Sequence, residues 1–172
     1  MSNSELKIRK FKNTESYAHL YGKKVVKDWL HERWQHCQKN HRSATCCILD
    51  WVAHYDESNR GIFEEYPILS RRLKNGQKEY LGIDPVWNEI PNIEKCKERG
   101  LTVEAVFDVA IASHKKLKYG LEVVWKHPCS NSKLAFLKWL KETHGVKTYE
   151  LDALWVLSQV RCPTTLKMRE VS

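Results

Sequence analysis

The sequence predicts an α/β fold, in which a single domain holds a mixed β-sheet flanked by helices. Residues 103–126 alternate apolar and other side chains in two runs joined by a short basic turn, which is typical of a β-hairpin. Residues 15–38 repeat apolar side chains with the period of a helix, and residues 131–159 follow a helix–strand–helix pattern. The chain of 172 residues is long enough for one domain with a substantial core.

The first predicted helix follows a basic, flexible arm at residues 1–13. Thr14 is a plausible N-cap for this helix. The apolar side chains fall on one broad arc of the helix: Ala18, Gly22, Val25, Val26, Trp29 and Leu30. Glu15 and His19 lie within that arc, and Lys23 lies at its edge. Burial of a polar side chain without a partner costs free energy, so the position of these three residues calls for an explanation. The alternative to burial is a frayed helix end whose side chains reach water.

The rest of the chain alternates between predicted strands, loops and helices. Residues 40–45 form a polar break, and Gly100 ends a short helix that follows a loop. Asp152 opens the last helix, and the tail from Pro163 is expected to be basic and loose. These signals set the domain at residues 14–162 and the tail at 163–172. The predicted strands are 46–55, 61–70, the two arms of 103–126, and 146–151; the predicted helices after the first are 93–99, 131–143 and 152–159.

The hairpin carries the main functional signal. With Lys115 at the centre of the turn and residues 113–117 as its loop, Asp108 and Glu122 fall directly opposite each other, with Cβ atoms about 5 Å apart. Two like charges at that distance repel unless a cation lies between them, which predicts a hard-metal site. The alternative is a half-exposed hairpin with a mixed outer face. Its buried face would comprise Val103, Ala105, Phe107, Val109, Ile111, Tyr119, Leu121, Val123 and Trp125.

Composition and hydropathy indicate the class of binding partner and the cellular compartment. The formal net charge of +8 favours a polyanion as partner, although such charge also serves solubility alone. The N-terminus has no apolar run typical of a secretory signal, and no stretch of about eighteen apolar residues predicts a membrane span. The six cysteines lack the spacing of a secreted disulfide scaffold. We therefore expect an intracellular protein, in the cytoplasm or nucleus.

The order of elements, with a carboxylate on each hairpin arm, resembles the PD-(D/E)XK nuclease superfamily and its restriction-endonuclease-like core. The stretch ESYAHLYGK, from Glu15 to Lys23, resembles the E-S-x-x-H-x-x-x-K helix of competence-protein CoiA-like nucleases. The stretch GLEVVWKHPCSNSK is similar to the I-E-V-V-x-x-H-P-x-S-x-x-K segment of the same group. The resemblance implies a nuclease that hydrolyses DNA phosphodiester bonds with Mg²⁺ or Mn²⁺.

The resemblance also implies roles for individual residues. Asp108 and Glu122 would be the paired metal ligands, with the carbonyl of Val123 as a further ligand. Glu65 or Glu64 would be the acidic residue of the preceding strand. The first-helix residues that bind metal or contact phosphate would be Glu15 and His19.

The sequence departs from the motif at the lysine. That lysine should stand two residues after Glu122, where this chain has Val124. Lys126, about 6.6 Å further along the same strand, is the favoured replacement, and Lys23 is the other candidate. If neither acts, the chain is a non-catalytic nucleic-acid-binding or structural protein on a degenerate nuclease fold.

Lysines of the hairpin turn and the following helix are candidate phosphate contacts for bound DNA. Only those on the same side as the acidic pair can contribute. The sequence leaves the oligomeric state open, a homodimer included. The candidates are Lys115, Lys116, Lys118, Lys133, Lys138 and Lys141.

A second cluster of His and Cys residues follows the first helix. Zinc could use Cys37, His41 and one or both of Cys46 and Cys47, with His36 nearby. Adjacent cysteines on a strand point to opposite faces, and the cluster has no C-x-x-C pair. The alternative is a set of buried thiols and surface histidines.

Overall fold

The computed structural model of the protein describes residues 15–39, 61–113, 115–126, 128–163 and 165–171. Within these ranges the strands form a six-stranded sheet in the order β2-β1-β3-β4-β5-β6, in which β4 and β5 pair in parallel and the other neighbours pair antiparallel. The predicted mixed sheet flanked by helices is therefore confirmed. The elements are α1 (Glu15–Lys39), β1 (Gly61–Arg72), β2 (Lys78–Leu81), α2 (Ile93–Glu98), β3 (Thr102–Ser113), β4 (Lys116–Val124), α3 (Asn131–His144), β5 (Lys147–Asp152), α4 (Ala153–Ser158) and β6 (Arg169–Glu170).

Helices α1 and α4 cover one face of the sheet. The predicted apolar arc of α1 is buried there, because Val26 and Leu30 pack with Val109, Leu121 and other side chains of the central strands. Gly22 lets the helix approach β4 closely: a Cβ atom at this position would stand 2.8 Å from Val123 Cγ1. The close approach brings the polar residues of α1 down to the sheet.

Helix α3 covers the opposite face. Its Leu137 and Leu140 are fully buried and pack with Phe107 and Tyr66. Ser130 caps the helix by accepting the N–H of Lys133, and Gly145 ends it in a left-handed conformation with φ of 70°. The predicted start and end of this helix are confirmed.

The hairpin differs from its prediction at the turn. Strand pairing reaches Ser113↔Lys116, so the five-residue loop at 113–117 is wrong and the turn is much tighter. A bulge between Ile111 and Ala112 then restores the predicted register, which gives Val109↔Leu121.

The strands of the hairpin are also buried on both faces, which excludes the half-exposed alternative. Phe107 packs on the α3 side and Val109 on the α1 side, although strict alternation would put them on one face. The change of face occurs around Asp108.

Two short strands escaped prediction at the sheet edges. β2 pairs with β1 through a turn at Asn75-Gly76, a recognised hairpin signal. The tail predicted to be loose instead returns to the sheet, because β6 pairs with β5 and Leu166 is buried. The arm at 1–13 and the predicted strand 46–55 lie outside the described residues. None of the helices described here is both long and apolar enough to cross a membrane.

Candidate active site at the fork between β3 and β4

Asp108 lies in the middle of β3, where this strand separates from β4. The β3–β4 ladder ends at Val109↔Leu121, and in place of the next ladder bond Asp108 Oδ2 accepts the N–H of Val123 at 2.7 Å. Asp108 and Glu122 are each only 6% exposed. The two carboxylates, predicted to face each other across a regular ladder, thus lie on the two sides of a fork in the sheet.

Helix α1 brings two polar side chains to Asp108. His19 Nε2 lies 3.0 Å from Asp108 Oδ1, and Lys23 Nζ lies 3.9 Å from the same oxygen. Lys23 is buried and also binds the carboxylate of Glu65. Glu65 has a φ of 54° and is skipped by the β1–β3 ladder, which pairs Glu64 and Tyr66 on either side of it.

Helix α3 brings a second lysine from the opposite face of the sheet. Lys133 Nζ donates to Glu122 Oε2 at 2.7 Å and to the carbonyl of Val106 at 3.0 Å. The other carboxylate oxygen, Glu122 Oε1, is buried and has no hydrogen-bond partner in the described part of the chain. A buried unpaired carboxylate oxygen is costly, so it calls for a further donor or cation.

These surroundings shift the ionisation of both Glu122 and His19. Burial raises the pKa of Glu122 to about 7; Lys133 opposes this rise, and Asp108 adds to it. The hydrogen bond with Asp108 raises the pKa of His19, while burial works against it. Around neutral pH the fork therefore holds one carboxylate close to its titration midpoint beside an imidazole with increased affinity for a proton.

Asp108 and Glu122 fit a small hard cation. Among the described residues Glu122 Oε1 has no hydrogen-bond partner, and both carboxylates border the same fork. Val123 directs its N–H toward Asp108, and a strand residue directs its carbonyl to the same side as its N–H. Among the described residues no group of three or more His, Cys, Asp or Glu side chains could hold a metal ion. Two carboxylates and a carbonyl suit Mg²⁺, which keeps several of its waters.

The other acidic candidates are occupied by lysines. Glu65 is bound to Lys23, so its link to Asp108 runs through that ammonium. Glu64 Oε2 lies 3.2 Å from Nζ of Lys27. The ligand role that the resemblance implies for one of them stays a prediction.

Lys126, the favoured replacement for the motif lysine, does not reach the fork. It follows the end of β4, is exposed, and has a left-handed backbone with φ of 61°. Its ammonium lies over the ring of Trp125, 5.5 Å from the centroid. β4 ends at Val124, two residues before Lys126. Among the described residues, the lysines at the two carboxylates are therefore Lys23 and Lys133.

The lysines of the hairpin turn are also remote from the fork. Ser113 stands five positions after Asp108, which corresponds to about 17 Å of extended strand. Lys115 and Lys118 are exposed beyond or near that end, and Lys116 pairs with Asp84 at 3.0 Å. On α3, Lys138 pairs with Glu142 and Lys141 with Glu170. Of the predicted phosphate contacts, only Lys133 lies at the carboxylates.

Several predicted ligands lie outside the described part of the chain. Glu15 begins α1, but its side chain is not among those described. The same holds for the side chain of Cys37, and the remaining zinc candidates His41, Cys46 and Cys47 fall in residues 40–60.

Two residues of this region have places that the sequence analysis does not assign to them. Lys133, a predicted phosphate contact, lies beside Glu122, and its place as the final lysine of the GLEVVWKHPCSNSK stretch is a signal for that position. No sequence pattern singles out Glu150. It is buried next to Glu122, because the parallel register pairs Glu122↔Glu150, and its Oε1 accepts the N–H of Cys129 at 3.2 Å.

Two carboxylates, an imidazole and two lysines thus meet at one fork of the sheet, approached from α1 on one face and from α3 on the other. When the chain is compared with protein-family models, with curated proteins and with solved structures, it matches none of them.

Proposed function

We propose that the protein is a metal-dependent nuclease that hydrolyses phosphodiester bonds of DNA at the fork between β3 and β4. The observation that carries the proposal is the buried pair Asp108 and Glu122, in which Glu122 Oε1 has no hydrogen-bond partner within the part of the chain that the structure describes. Burial and the charge of Asp108 both raise the pKa of Glu122, so two carboxylates in this arrangement are unfavourable without added positive charge, and hard cations prefer oxygen ligands of this kind.

Asp108, Glu122 and the carbonyl of Val123 would hold Mg²⁺ or Mn²⁺. The cation supplies activation of the attacking water and neutralises charge on the phosphate.

The basic side chains at the fork supply positioning and charge. Lys133 lies on Glu122, where its ammonium can orient a water and offset negative charge that grows on the phosphate oxygens. His19, half-buried and held by Asp108, presents its ring to a phosphate at the rim. Lys23 is bound between Glu65 and Asp108, which holds the Asp108 carboxylate in place.

A second function is favoured by a different observation. Lys133 and Lys23 already supply positive charge to Glu122 and Asp108, and Val124 occupies the position of the motif lysine. A site compensated in this way is compatible with a non-catalytic nucleic-acid-binding or structural protein on a nuclease-like fold. Such a protein would bind DNA and leave it intact at any metal concentration.

Degradation of plasmid DNA by the purified protein, with Mg²⁺, Mn²⁺ or EDTA, separates the two functions. The nuclease proposal predicts cleavage that needs a divalent cation and is lost in Asp108→Asn and in Glu122→Gln. Glu104→Gln is the matched control, because this acidic residue of β3 binds Ser70 and Lys78 away from the fork. Cleavage at the wild-type rate by the doubly substituted Asp108→Asn/Glu122→Gln protein would disprove the site, and DNA binding without any cleavage would establish the second function.

A further inference from the structure

An open pocket of about 430 Å³ lies beside the fork. Its volume is within the usual range for small-molecule and nucleotide sites. The tail segment that β6 brings back to the sheet forms one wall. The lining includes Val124, Glu150, Asp152, Lys167, Met168 and Arg169.

The strand register fixes this pocket next to Glu122. The pairs Glu122↔Glu150 and Val124↔Asp152 follow each other by two residues on the parallel strands, so all four side chains share one face of the sheet. The pocket therefore extends from Glu150, the partner of Glu122, to Val124 and Asp152, about 6.6 Å further along the strands. Val124 and Asp152 end β4 and β5, and the carboxyl ends of parallel strands are the usual place for a ligand in sheets of this type.

The lining combines groups that suit the parts of a nucleotide. Lys167 is exposed and supplies a cation for a phosphate, while Val124 and Met168 supply apolar surface for a base. Asp152 Oδ1 caps α4 by accepting the N–H of Trp155 at 2.7 Å, and its Oδ2 is an acceptor for the amino group of a base. Arg169 binds Glu150, so its positive charge reduces the repulsion that this buried carboxylate would exert on a polyanion.

We infer that the pocket binds one unpaired nucleotide next to the phosphate cleaved at the fork. A base within a duplex is paired and stacked, so only an unpaired or extruded base can enter a pocket of this kind. The substrate would then be single-stranded DNA or a duplex end with an unpaired strand. This inference rests on the proposed nuclease function, since it assigns the nucleotide that adjoins the cleaved bond.

Two variants test the pocket. Val124→Phe fills it, and Lys167→Ala removes its exposed cation. Val160→Phe and Lys138→Ala are the matched controls, because Val160 is fully exposed and Lys138 is an exposed lysine on α3 paired with Glu142. The measurement is the dissociation constant of a fluorescent single-stranded oligonucleotide and of a blunt-ended hairpin duplex, both in EDTA so that no cleavage occurs.

Val124→Phe should weaken single-strand binding about tenfold, the size expected for the loss of one base contact, and leave duplex binding within about twofold of the wild type. Lys167→Ala should weaken single-strand binding by a smaller factor in the same direction. Unchanged single-strand binding in Val124→Phe, or an equal loss for both DNAs, overturns the inference. If circular dichroism shows that Val124→Phe unfolds at a lower temperature than the wild type, Lys167→Ala is the deciding variant. Unchanged single-strand binding in Lys167→Ala, or an equal loss for both DNAs, then overturns the inference.

A parallel cleavage assay with Mg²⁺ separates this inference from the proposed function. A wild-type protein that never cuts DNA, yet loses single-strand binding in the pocket variants, refutes the nuclease and keeps the pocket. A wild-type protein that cuts DNA while its pocket variants bind both DNAs normally refutes the pocket and keeps the nuclease.

Discussion

At the scale of single residues, Glu122 is a buried carboxylate whose ionisation the fold changes strongly. Its pKa in the folded protein, about 7, stands above its ordinary value of 4.5 because burial disfavours the charged form. A raised pKa of this kind stabilises the fold below the ordinary value, and the stabilisation is lost as the pH rises through 7. The metal-free protein should therefore lose about 3 kcal/mol of unfolding free energy from this group by about pH 8.

Glu122→Gln should remove that loss. In EDTA the variant should be more stable than the wild type at about pH 8, and the difference should shrink toward about pH 5, as measured by urea denaturation. Glu104→Gln provides a control of opposite sign. Burial alone would raise the pKa of Glu104, but hydrogen bonds from Lys78 and Ser70 outweigh it and hold the pKa below its usual value. The Glu104 variant should thus be less stable than the wild type at neutral pH; a Glu122 variant that shows the same loss would contradict the account.

The second question at this scale is which lysine would assist cleavage in the proposed nuclease. Lys133→Ala should lower the single-turnover rate about a hundredfold or more, because its ammonium lies on Glu122. Lys126→Ala should change the rate by less than about threefold, since its ammonium lies over Trp125. The result that would reverse this assignment is a large loss at Lys126 with a normal rate at Lys133.

At the scale of elements, the packing of α1 on β4 positions His19 and Lys23. Gly22 lies between these two residues on the helix and has no room for a side chain against Val123. Gly22→Val should cost about 1–3 kcal/mol through overpacking and should displace the helix, so that cleavage falls further than the loss of stability accounts for. Leu20→Val, at an exposed position of the same helix, places a valine on α1 without the clash and without a change of charge. Equal rates for the two variants at a temperature where both are folded would show that the helix does not position the site.

The hairpin shows how far sequence reasoning reaches at this scale. Alternation predicted its strands, and the register around Val109↔Leu121 followed from the predicted turn centre even though the loop length was wrong, because a bulge compensates for the tighter turn. Alternation could not predict the change of face at Asp108, which depends on a side chain taking the place of a ladder bond. Alternation also favoured Lys126, because it places this residue on a strand that continues beyond Val124, whereas β4 ends at Val124.

At the scale of the whole molecule, the distribution of positive charge should decide how DNA is held. Lys24 is exposed on α1, and Lys27 borders the fork beside Glu64, whereas Lys115 and Lys118 lie toward the far end of the hairpin. Replacing both Lys24 and Lys27 with alanine should lower the slope of log Kd against log salt by about two units, one for each lost contact. Replacing Lys115 and Lys118 should leave the slope unchanged. The reverse pattern would move the DNA path to the hairpin turn.

The overall architecture was predictable from local patterns, because amphipathic helices and alternating strands imply a sheet with helices packed on it. The tertiary contacts of the site were harder to predict. Lys133 reaches Glu122 from the opposite layer, and Glu150 becomes its neighbour only through the parallel pairing of β4 and β5. Both relations depend on how distant segments pack, which periodicity within one segment does not contain.

The central claim is that Asp108 and Glu122 bind a divalent cation together. Titration of Mn²⁺ into the metal-free protein, followed by electron paramagnetic resonance, measures that binding without any substrate. The account predicts one site in the wild type and in Glu104→Gln, and loss of that site in both Asp108→Asn and Glu122→Gln. Mn²⁺ binding that persists in the doubly substituted Asp108→Asn/Glu122→Gln protein, or a wild type that binds no Mn²⁺, would contradict it.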